Sequence, residues 1–303
     1  MKRPFFSVCI PLFNRGETIF STLTSLSNQN FKDFEVKIVV YKCDDNTLEE
    51  VERFFASETY KNKKFNYELK KSDKNFDDWN GPVKLACGEY IAMLEGDDQF
   101  LPEHLNRAFT YLSNNNNVGL YSTGNQHRTR EKYGLIKSPD FFKFIYSMVA
   151  VPPPSETIFI RQKMNSKVYL YDHDSFIYAP EIDLYLSIAD DGYDAFYDDC
   201  QNVWRYPASY KQSSWKHFHD LFAVLKKYKS NVNITIGIFN ETKRLIIYRS
   251  VESYLRIFIK QKSETSDFKK NLILELGFIS FLKYVIIIII KTLIRLSIGK
   301  KYN

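Results

Sequence analysis

The sequence predicts an α/β fold: a mostly parallel central sheet with flanking helices. Three observations predict it. Short apolar runs rich in β-formers alternate with stretches of helical period. The first such runs each end in a polar cluster. The spacing between them leaves room for a crossover helix, which parallel strands need.

Residues 5–13, FFSVCIPLF, read as a buried strand ended by the turn Asn14, Arg15, Gly16. From Glu17 to Asn28, Ile19, Leu23 and Leu26 recur at helical spacing. Residues 34–41, FEVKIVVY, are a second strand closed by KCDDNT. Residues 48–57 place Leu48, Val51, Phe54 and Phe55 on one helical face. A helix from Asp78 to Ala86 stops at Gly88, and EYIAML (89–94) is a third strand running into EGDD. Further on, residues 103–112 read as helix, 114–117 (NNNN) as loop and VGLYSTG as strand. VPPPSETIFIR (151–161) is a rigid proline connection and then a strand, which fixes Ser155 and Glu156 in place. EIDLYLSIA (181–189) is an amphipathic helix, AFYDDCQNVWRY a strand region and residues 214–229 a basic helix.

The 303 residues are 44% hydrophobic and 26% charged, which is globular. With only 11 Gly and 10 Pro the chain is neither collagen-like nor a Pro/Gly-rich disordered polymer. Cys9, Cys43, Cys87 and Cys200 are scattered, without zinc spacing, and read as buried cytosolic thiols. The N-terminal apolar run is broken by Ser7 and Pro11 and makes a poor signal peptide.

The net charge of +6 hides two unlike regions. Residues 1–204 carry 23 basic and 30 acidic side chains, a net of −7, whereas residues 205–303 carry 19 and 6, a net of +13. The basic excess accompanies the Leu/Ile/Phe-rich segment 272–298. Glu275, Lys283, Lys291 and Arg295 argue against a transmembrane helix there. Lys283, Lys291 and Arg295 share one helical face, the pattern of a helix lying in an anionic membrane surface. A buried C-terminal helix or an oligomer contact is the alternative. We expect a helical C-terminal region, 216–303, with 272–298 as the membrane-associating part, and a membrane address more than a nucleic-acid footprint.

Carboxylates at strand ends carry the chemistry. Strand one ends at Asn14 and Glu17, strand two at Asp44 and Asp45, strand three at Glu95, Asp97 and Asp98. In an open α/β sheet ligands bind at the carboxyl ends of the strands. An acidic edge repels a bare diphosphate, so Mg²⁺ or Mn²⁺ between carboxylate and phosphate is expected. A solvated turn is the plain alternative for EGDD; its place directly after a buried strand favours the cation.

These segments resemble family 2 glycosyltransferases of the GT-A type over roughly residues 5–215. SVCIPLFNRGETIFSTLTSLSNQNFKDFEV is similar to the family's opening strand, turn, helix and entry to strand two. NFDDWNGPVKLACGEYIAMLEGDDQFLPEHL is similar to its Asn-containing helix, third strand and aspartate-x-aspartate segment. PEIDLYLSIADDGYDAFY is similar to the acidic helix start that holds the family's base. The resemblance implies a GT-A, Rossmann-like domain over residues 1–215. It also implies donor contacts at Pro11, Phe13, Asn14, Glu17 and Asn80, with Phe13 against the base. Glu95 stands for the first aspartate of the metal motif, with Asp97 and Asp98 at its metal-binding end.

The family's base-reading aspartate pair falls on Val40 and Tyr41, so Asp44 and Asp45 serve only through a reshaped loop. The resemblance implies a catalytic base at Glu181, with Asp183 as second choice; a helix-start carboxylate meeting the dipole is the plain alternative. Ser155 and Glu156 fall on the acceptor side, and Arg205 in WRYP falls near the diphosphate or on the surface. The expected activity is inverting transfer of a hexosyl or deoxyhexosyl group from a nucleotide-sugar. The expected acceptor is a lipid-linked saccharide of a bacterial surface polysaccharide, O-antigen or capsule, at the cytoplasmic face of the inner membrane.

A nucleotidyltransferase would want a Gly-rich basic loop after strand one, and the turn offers only Arg15 and Gly16. A non-catalytic membrane- or nucleic-acid-binding module leaves the acidic strand ends unexplained.

Overall fold

The computed structural model describes residues 3–74, 79–125, 133–147, 151–162, 168–176, 179–206, 215–260, 269–270, 273–274 and 281–288. The chain forms two compact units. One comprises Met1–Ser175 with Pro180–Ala208; the other comprises Phe176–Ala179 with Ser209–Asn303.

The first unit alternates strand and helix as expected. β1 (Phe6–Leu12) leads to α1 (Ile19–Ser27), β2 (Phe34–Val40) to α2 (Thr47–Ala56), and α4 (Asn80–Leu85) to β4 (Tyr90–Met93). Between α2 and α4 lie two elements that the apolar pattern did not mark, α3 (Glu58–Asn62) and β3 (Asn66–Lys71). Beyond β4 come β5 (Gln99–Phe100), α5 (His104–Leu112), β6 (Val118–Asn125), β7 (Gly134–Ile136) and α6 (Ser138–Tyr146). A 3₁₀ turn (Pro154–Glu156) precedes β8 (Thr157–Ile160), and α7 (Pro180–Asp190) precedes β9 (Asp194–Trp204).

One sheet of order β3-β2-β1-β4-β8-β6-β9-β5, with β7 added on β9, joins these strands. β1 pairs in parallel with β2 and β4, β2 with β3, and β6 with β9. β8 runs against β4 and β6, while β5 and β7 run against β9. β1, β2, β3, β4, β6 and β9 therefore share one direction, the mostly parallel sheet that the sequence predicts.

β1 is buried along its whole length, which is why it reads as a continuous apolar run and not an alternation. Phe6, Val8, Ile10 and Leu12 pack with Leu23, Leu26, Val36, Ile38 and Phe54 in the core. β3 has the opposite character. NYELKK is an edge strand with most of its residues exposed, and its charges leave it a poor template for pairing.

In the second unit, α8 (Trp215–Lys227) and α9 (Ile236–Lys260) bury Val224, Leu225, Ile246 and Val251, and a short helix continues at 281–288. The rest of segment 272–298, apart from 273–274, lies outside the described residues. No helix among the described residues is long and apolar enough to cross a membrane.

Candidate active site

The order β2-β1-β4 places a crevice between β1 and β4, where the chain path reverses direction across the sheet. Such switch points bind ligands at the strands' carboxyl ends. Pro11 helps to open it. β4 pairs with β1 only as far as Cys9, whose carbonyl accepts the Leu94 N–H at 3.0 Å. The next position facing that side is Pro11, which has no N–H to extend the ladder. The chain after β4 therefore leaves the sheet as the turn Glu95–Asp98.

The turn after β1 is tied to the loop after β2. Asn14 adopts φ 51°, a left-handed conformation that asparagine tolerates. Its Oδ1 accepts the Asp44 N–H at 2.9 Å. Arg15 N–H donates to Thr47 Oγ1 at 2.7 Å, and Gly16 N–H to Asp45 Oδ2 at 2.9 Å. The other Asp45 oxygen takes the Thr47 N–H at 3.0 Å, and these bonds hold the Asp45 carboxyl below its usual range against some desolvation. Asp45 thus fastens two loops together. Asp44 and Glu17 are exposed, and Phe13 is half-buried.

The acidic turn is built from several directions. Thr18 and Thr22 hydroxyls both donate to the Gly96 carbonyl, at 2.8 and 3.1 Å. Glu95 N–H donates to Ser155 Oγ at 3.0 Å, and that hydroxyl donates to Glu95 Oε2 at 3.4 Å. Arg205, just past β9, reaches back to the turn. Its Nε meets Asp98 Oδ2 and its Nη2 meets Glu95 Oε2, each at 3.2 Å. The Tyr206 N–H donates to Asp98 Oδ1 at 3.2 Å. Asp97 instead meets Arg15, Nε to Oδ2 at 3.1 Å. Burial, then the neighbouring Asp98 charge, pushes Glu95 up to about 7, with Arg205 opposing. Burial raises Asp98 too, again against Arg205.

Ser155 and Glu156, expected at the acceptor side, are fully buried. Ser155 supports Glu95, and the Glu156 carbonyl accepts the Ser122 hydroxyl at 3.0 Å. Asn80, expected at the donor sugar, uses both ends of its amide on one residue. Nδ2 donates to the Tyr171 carbonyl and Oδ1 accepts the Tyr171 N–H, both at 2.8 Å. It pins the segment around Tyr171 onto α4.

Glu181 and Asp183 open α7. Glu181 is half-buried and Asp183 buried. One turn on, Tyr185 OH pairs with Thr157 Oγ1 at 3.0 Å. The Tyr171 hydroxyl is raised well above its ordinary value by burial first, then by Tyr185, Glu181, Cys9 and Glu95. Both Glu181 and the acidic turn thus lie within electrostatic reach of Tyr171.

The carboxylates of the turn do not converge as a preformed cage: Asp97 turns to Arg15 while Glu95 and Asp98 share Arg205. A half-buried aspartate with hard oxygen donors fits Mg²⁺ or Mn²⁺, which are often held by one or two carboxylates plus phosphate oxygens. Among the described residues, the closely converging group of potential metal donors lies elsewhere, at Asp198, Asp199 and Cys200. There a bulge in β9 opposite Ser122–Gly124 turns Asp198 inward. Arg107 forks onto it at 2.9 and 2.7 Å, and the Tyr121 hydroxyl donates to it as well. That carboxylate is already neutralised within the fold.

Sequence reasoning missed Arg15, Thr18, Thr22 and Tyr171. Arg15 directly follows the Asn14 turn, which was the available signal; the other three show only when distant segments meet.

A sequence model described as Glycosyl transferase family 2 matches residues 7–166. The amylovoran biosynthesis glycosyltransferase AmsB of Erwinia amylovora is 33% identical over 113 residues, 37% of each chain. The match therefore spans little more than a third of that relative's length. The GalNAc(5)-diNAcBac-PP-undecaprenol beta-1,3-glucosyltransferase of Campylobacter jejuni is 21% identical over 278 residues, 88% of this chain and 79% of its own. Among solved structures, S. aureus TarS 1-349 in complex with UDP-GlcNAc superposes with a TM-score of 0.67 at 17% identity. That superposition covers 92% of this chain and 81% of TarS 1-349, a likeness of fold.

Proposed function

The chain belongs to glycosyl transferase family 2, and from that premise we propose that it is an inverting, metal-assisted sugar transferase. The donor is a nucleotide-sugar and the acceptor a hydroxyl of a saccharide, carried on a lipid. The observation that carries this reading is the acidic turn Glu95–Asp98 at the β1/β4 switch point, with Arg205 bridging Glu95 and Asp98.

A nucleoside diphosphate brings negative charge to this edge. Asp97, half-buried and held among the described residues by one exchangeable ion pair, would hold Mn²⁺ or Mg²⁺, with Asp98 behind it. Bound there, the cation would supply charge stabilisation for the departing diphosphate. Arg205 keeps Glu95 and Asp98 from repelling each other and holds the turn in shape. Ser155 acts on the acceptor side through Glu95, and Glu156 follows it in the same buried 3₁₀ turn. Phe13 and Pro11 line the donor base, with Asn14, Glu17, Asp44 and Asp45 at the rim. Asn80 shapes the donor side by fixing Tyr171.

Glu181 takes the proton of the attacking hydroxyl; Asp183, the more buried of the two, is the second choice. A base on the face opposite the leaving group gives a single displacement with inversion. The C-terminal region, 216–303, takes the enzyme to the cytoplasmic face of the inner membrane. In support, Leu274, Leu282, Ile286 and Ile287 are exposed, and exposed Lys283 lies among them. The pattern is apolar and basic, as an anionic lipid surface requires.

The experiment is a thermal-shift screen of nucleotide-sugars with Mn²⁺. A donor raises the melting temperature by mass action, and the base it carries identifies the nucleotide. A flat response to every nucleotide-sugar, with and without Mn²⁺, overturns the reading. Asp97→Ala is expected to abolish transfer in a folded protein, and deletion of 272–303 to release the protein from anionic vesicles.

A further inference from the structure

The two arginines at the acidic turn are held in different ways. Arg205 bridges two carboxylates, its side chain is 29% exposed, and Asp98 beneath it is 2% exposed. Arg15 makes one carboxylate contact, with Asp97, and its side chain is 40% exposed. Among the described residues, its Nη1 otherwise reaches only carbonyls of its own turn, Asn14 at 3.0 Å and Phe13 at 3.4 Å.

The backbone beneath Arg15 is fixed while the side chain is not. Its N–H is bonded to Thr47, and Gly16 beside it to Asp45. The stem lies against Gly96, where an added Cβ would come within 3.0 Å of Arg15 Cγ and 3.2 Å of its Cβ. Gly96 in turn is held by Thr18 and Thr22. The fold thus brings one guanidinium to the mouth of the crevice and leaves its head, among the described residues, on one half-exposed ion pair. Solvent-accessible pairs of this kind are weak and readily exchanged.

From this we propose that Arg15 is a movable donor-site residue: it covers Asp97 before the donor arrives, then yields Asp97 to the donor's divalent cation and turns its guanidinium onto the diphosphate. This rests on the transferase reading above. A divalent cation at Asp97 repels a guanidinium at the same oxygen, and the diphosphate arriving with it offers the planar, bidentate anion that arginine matches best. Arg205 cannot make this move, because its departure would strand the buried Asp98 carboxylate and the half-buried Glu95 together. Fixed and movable cations therefore divide the work. Arg205 maintains the turn, and Arg15 exchanges partners.

The prediction has opposite signs in two binding measurements, which a merely structural ion pair would not produce. In the first, Mn²⁺ alone is titrated into the full chain and free Mn²⁺ is followed by electron paramagnetic resonance. Arg15→Ala is expected to bind Mn²⁺ about 2- to 5-fold more tightly than the natural protein, since a competing cation has gone. In the second, UDP is titrated calorimetrically at saturating Mn²⁺. Arg15→Ala is expected to bind UDP about tenfold or more weakly, the loss of a charge-assisted contact to phosphate.

Arg15→Lys keeps the charge without the fork. It should restore natural Mn²⁺ affinity and only part of the UDP affinity. Melting curves of each variant confirm folding, and the Mn²⁺ arm needs no nucleotide. A natural protein that binds Mn²⁺ and UDP, with Arg15→Ala matching it in both arms, overturns the Arg15 assignment alone. A natural protein that binds neither Mn²⁺ nor any nucleoside diphosphate overturns the transferase reading with it.

Discussion

Arg205 meets Asp98 at 3.2 Å, and the Asp98 side chain is only 2% exposed. The same guanidinium serves Glu95. Removing it leaves a buried carboxylate without its cation, which costs about 3–5 kcal/mol when a buried pair is broken from one side. We expect Arg205→Met to lose stability in that range and Arg205→Lys to lose less, since lysine keeps the charge without the fork. Denaturant unfolding midpoints measure both. Equal stability of Arg205→Met and the natural protein would show that the pair contributes nothing.

Asn80 holds Tyr171 through two 2.8 Å hydrogen bonds, one from each end of its amide. Asn80→Ala orphans the Tyr171 N–H and carbonyl together. Each unsatisfied buried polar group costs about 1–3 kcal/mol, so the variant should lose about 2–6 kcal/mol. Asn80→Asp keeps the acceptor but sets a carboxylate oxygen against the Tyr171 carbonyl in a buried site, and should lose more. Calorimetric melting separates the two. If Asn80→Ala melts with the natural protein, the clamp is not structural.

How far the sequence disclosed all this depends on where each interaction lives. β1 was legible because both its faces are buried, so its apolar run is unbroken. β3 was not, because an exposed edge strand made of NYELKK has no apolar period to read. The acidic turn was legible as carboxylates after a buried strand. Its partners were not: Arg205 and Asp98 are 107 residues apart, and Asn80 and Tyr171 are 91 apart. Spacing encodes which residues share a strand end. Only the strand order β1-β4-β8-β6-β9 determines which cation arrives there. The two-way anchoring of Asp45 was equally hidden, since it needs the turn after β1 and the loop after β2 face to face.

His104 gives a pH dependence whose sign can be worked out. It is fully buried beside Phe100, ring centroids 4.1 Å apart, and among the described residues neither of its nitrogens has a hydrogen-bond partner. Burial lowers it to about 3, against a weak opposing pull from Asp198. The unfolded chain takes up a proton near 6.5, and the folded protein does not until much lower pH. Stability from this site is therefore complete above about 6.5 and is lost progressively as pH falls toward 3. Asp198, which Arg107 and Tyr121 hold well below the carboxylate range, adds a second loss below about pH 4. His104→Leu, close in volume, should remove the upper part of the acid slope and leave the lower part. At pH 7 it should be neutral or stabilising, because two orphaned nitrogens go. Melting temperatures at pH 7, 5.5 and 4 are the measurement. A natural slope unchanged in His104→Leu would rule out His104 as its source.

Gly88 and Gly237 make opposite predictions for one substitution. Glycine to alanine normally stabilises by about 0.4–1 kcal/mol where the backbone allows it. At Gly88 it does not. An added Cβ would lie 2.5 Å from the Ser7 nitrogen and 2.7 Å from the Phe6 carbonyl carbon, both backbone atoms of the central strand β1. Gly88 cannot retreat either. Its N–H donates to Ser7 Oγ at 2.7 Å, and its carbonyl accepts from Arg3 and Arg161 at 2.8 Å each. β1 is in turn held between β2 and β4. Gly88→Ala should therefore cost about 3 kcal/mol, the upper end for overpacking. At Gly237, near the start of α9, the nearest atom to an added Cβ is Thr235 Oγ1 at 3.6 Å, an ordinary contact. Gly237→Ala should gain up to about 1 kcal/mol from helix propensity alone. Urea unfolding followed by circular dichroism tests the pair. A Gly88→Ala protein as stable as the natural one would mean that β1 and the end of α4 can separate without cost.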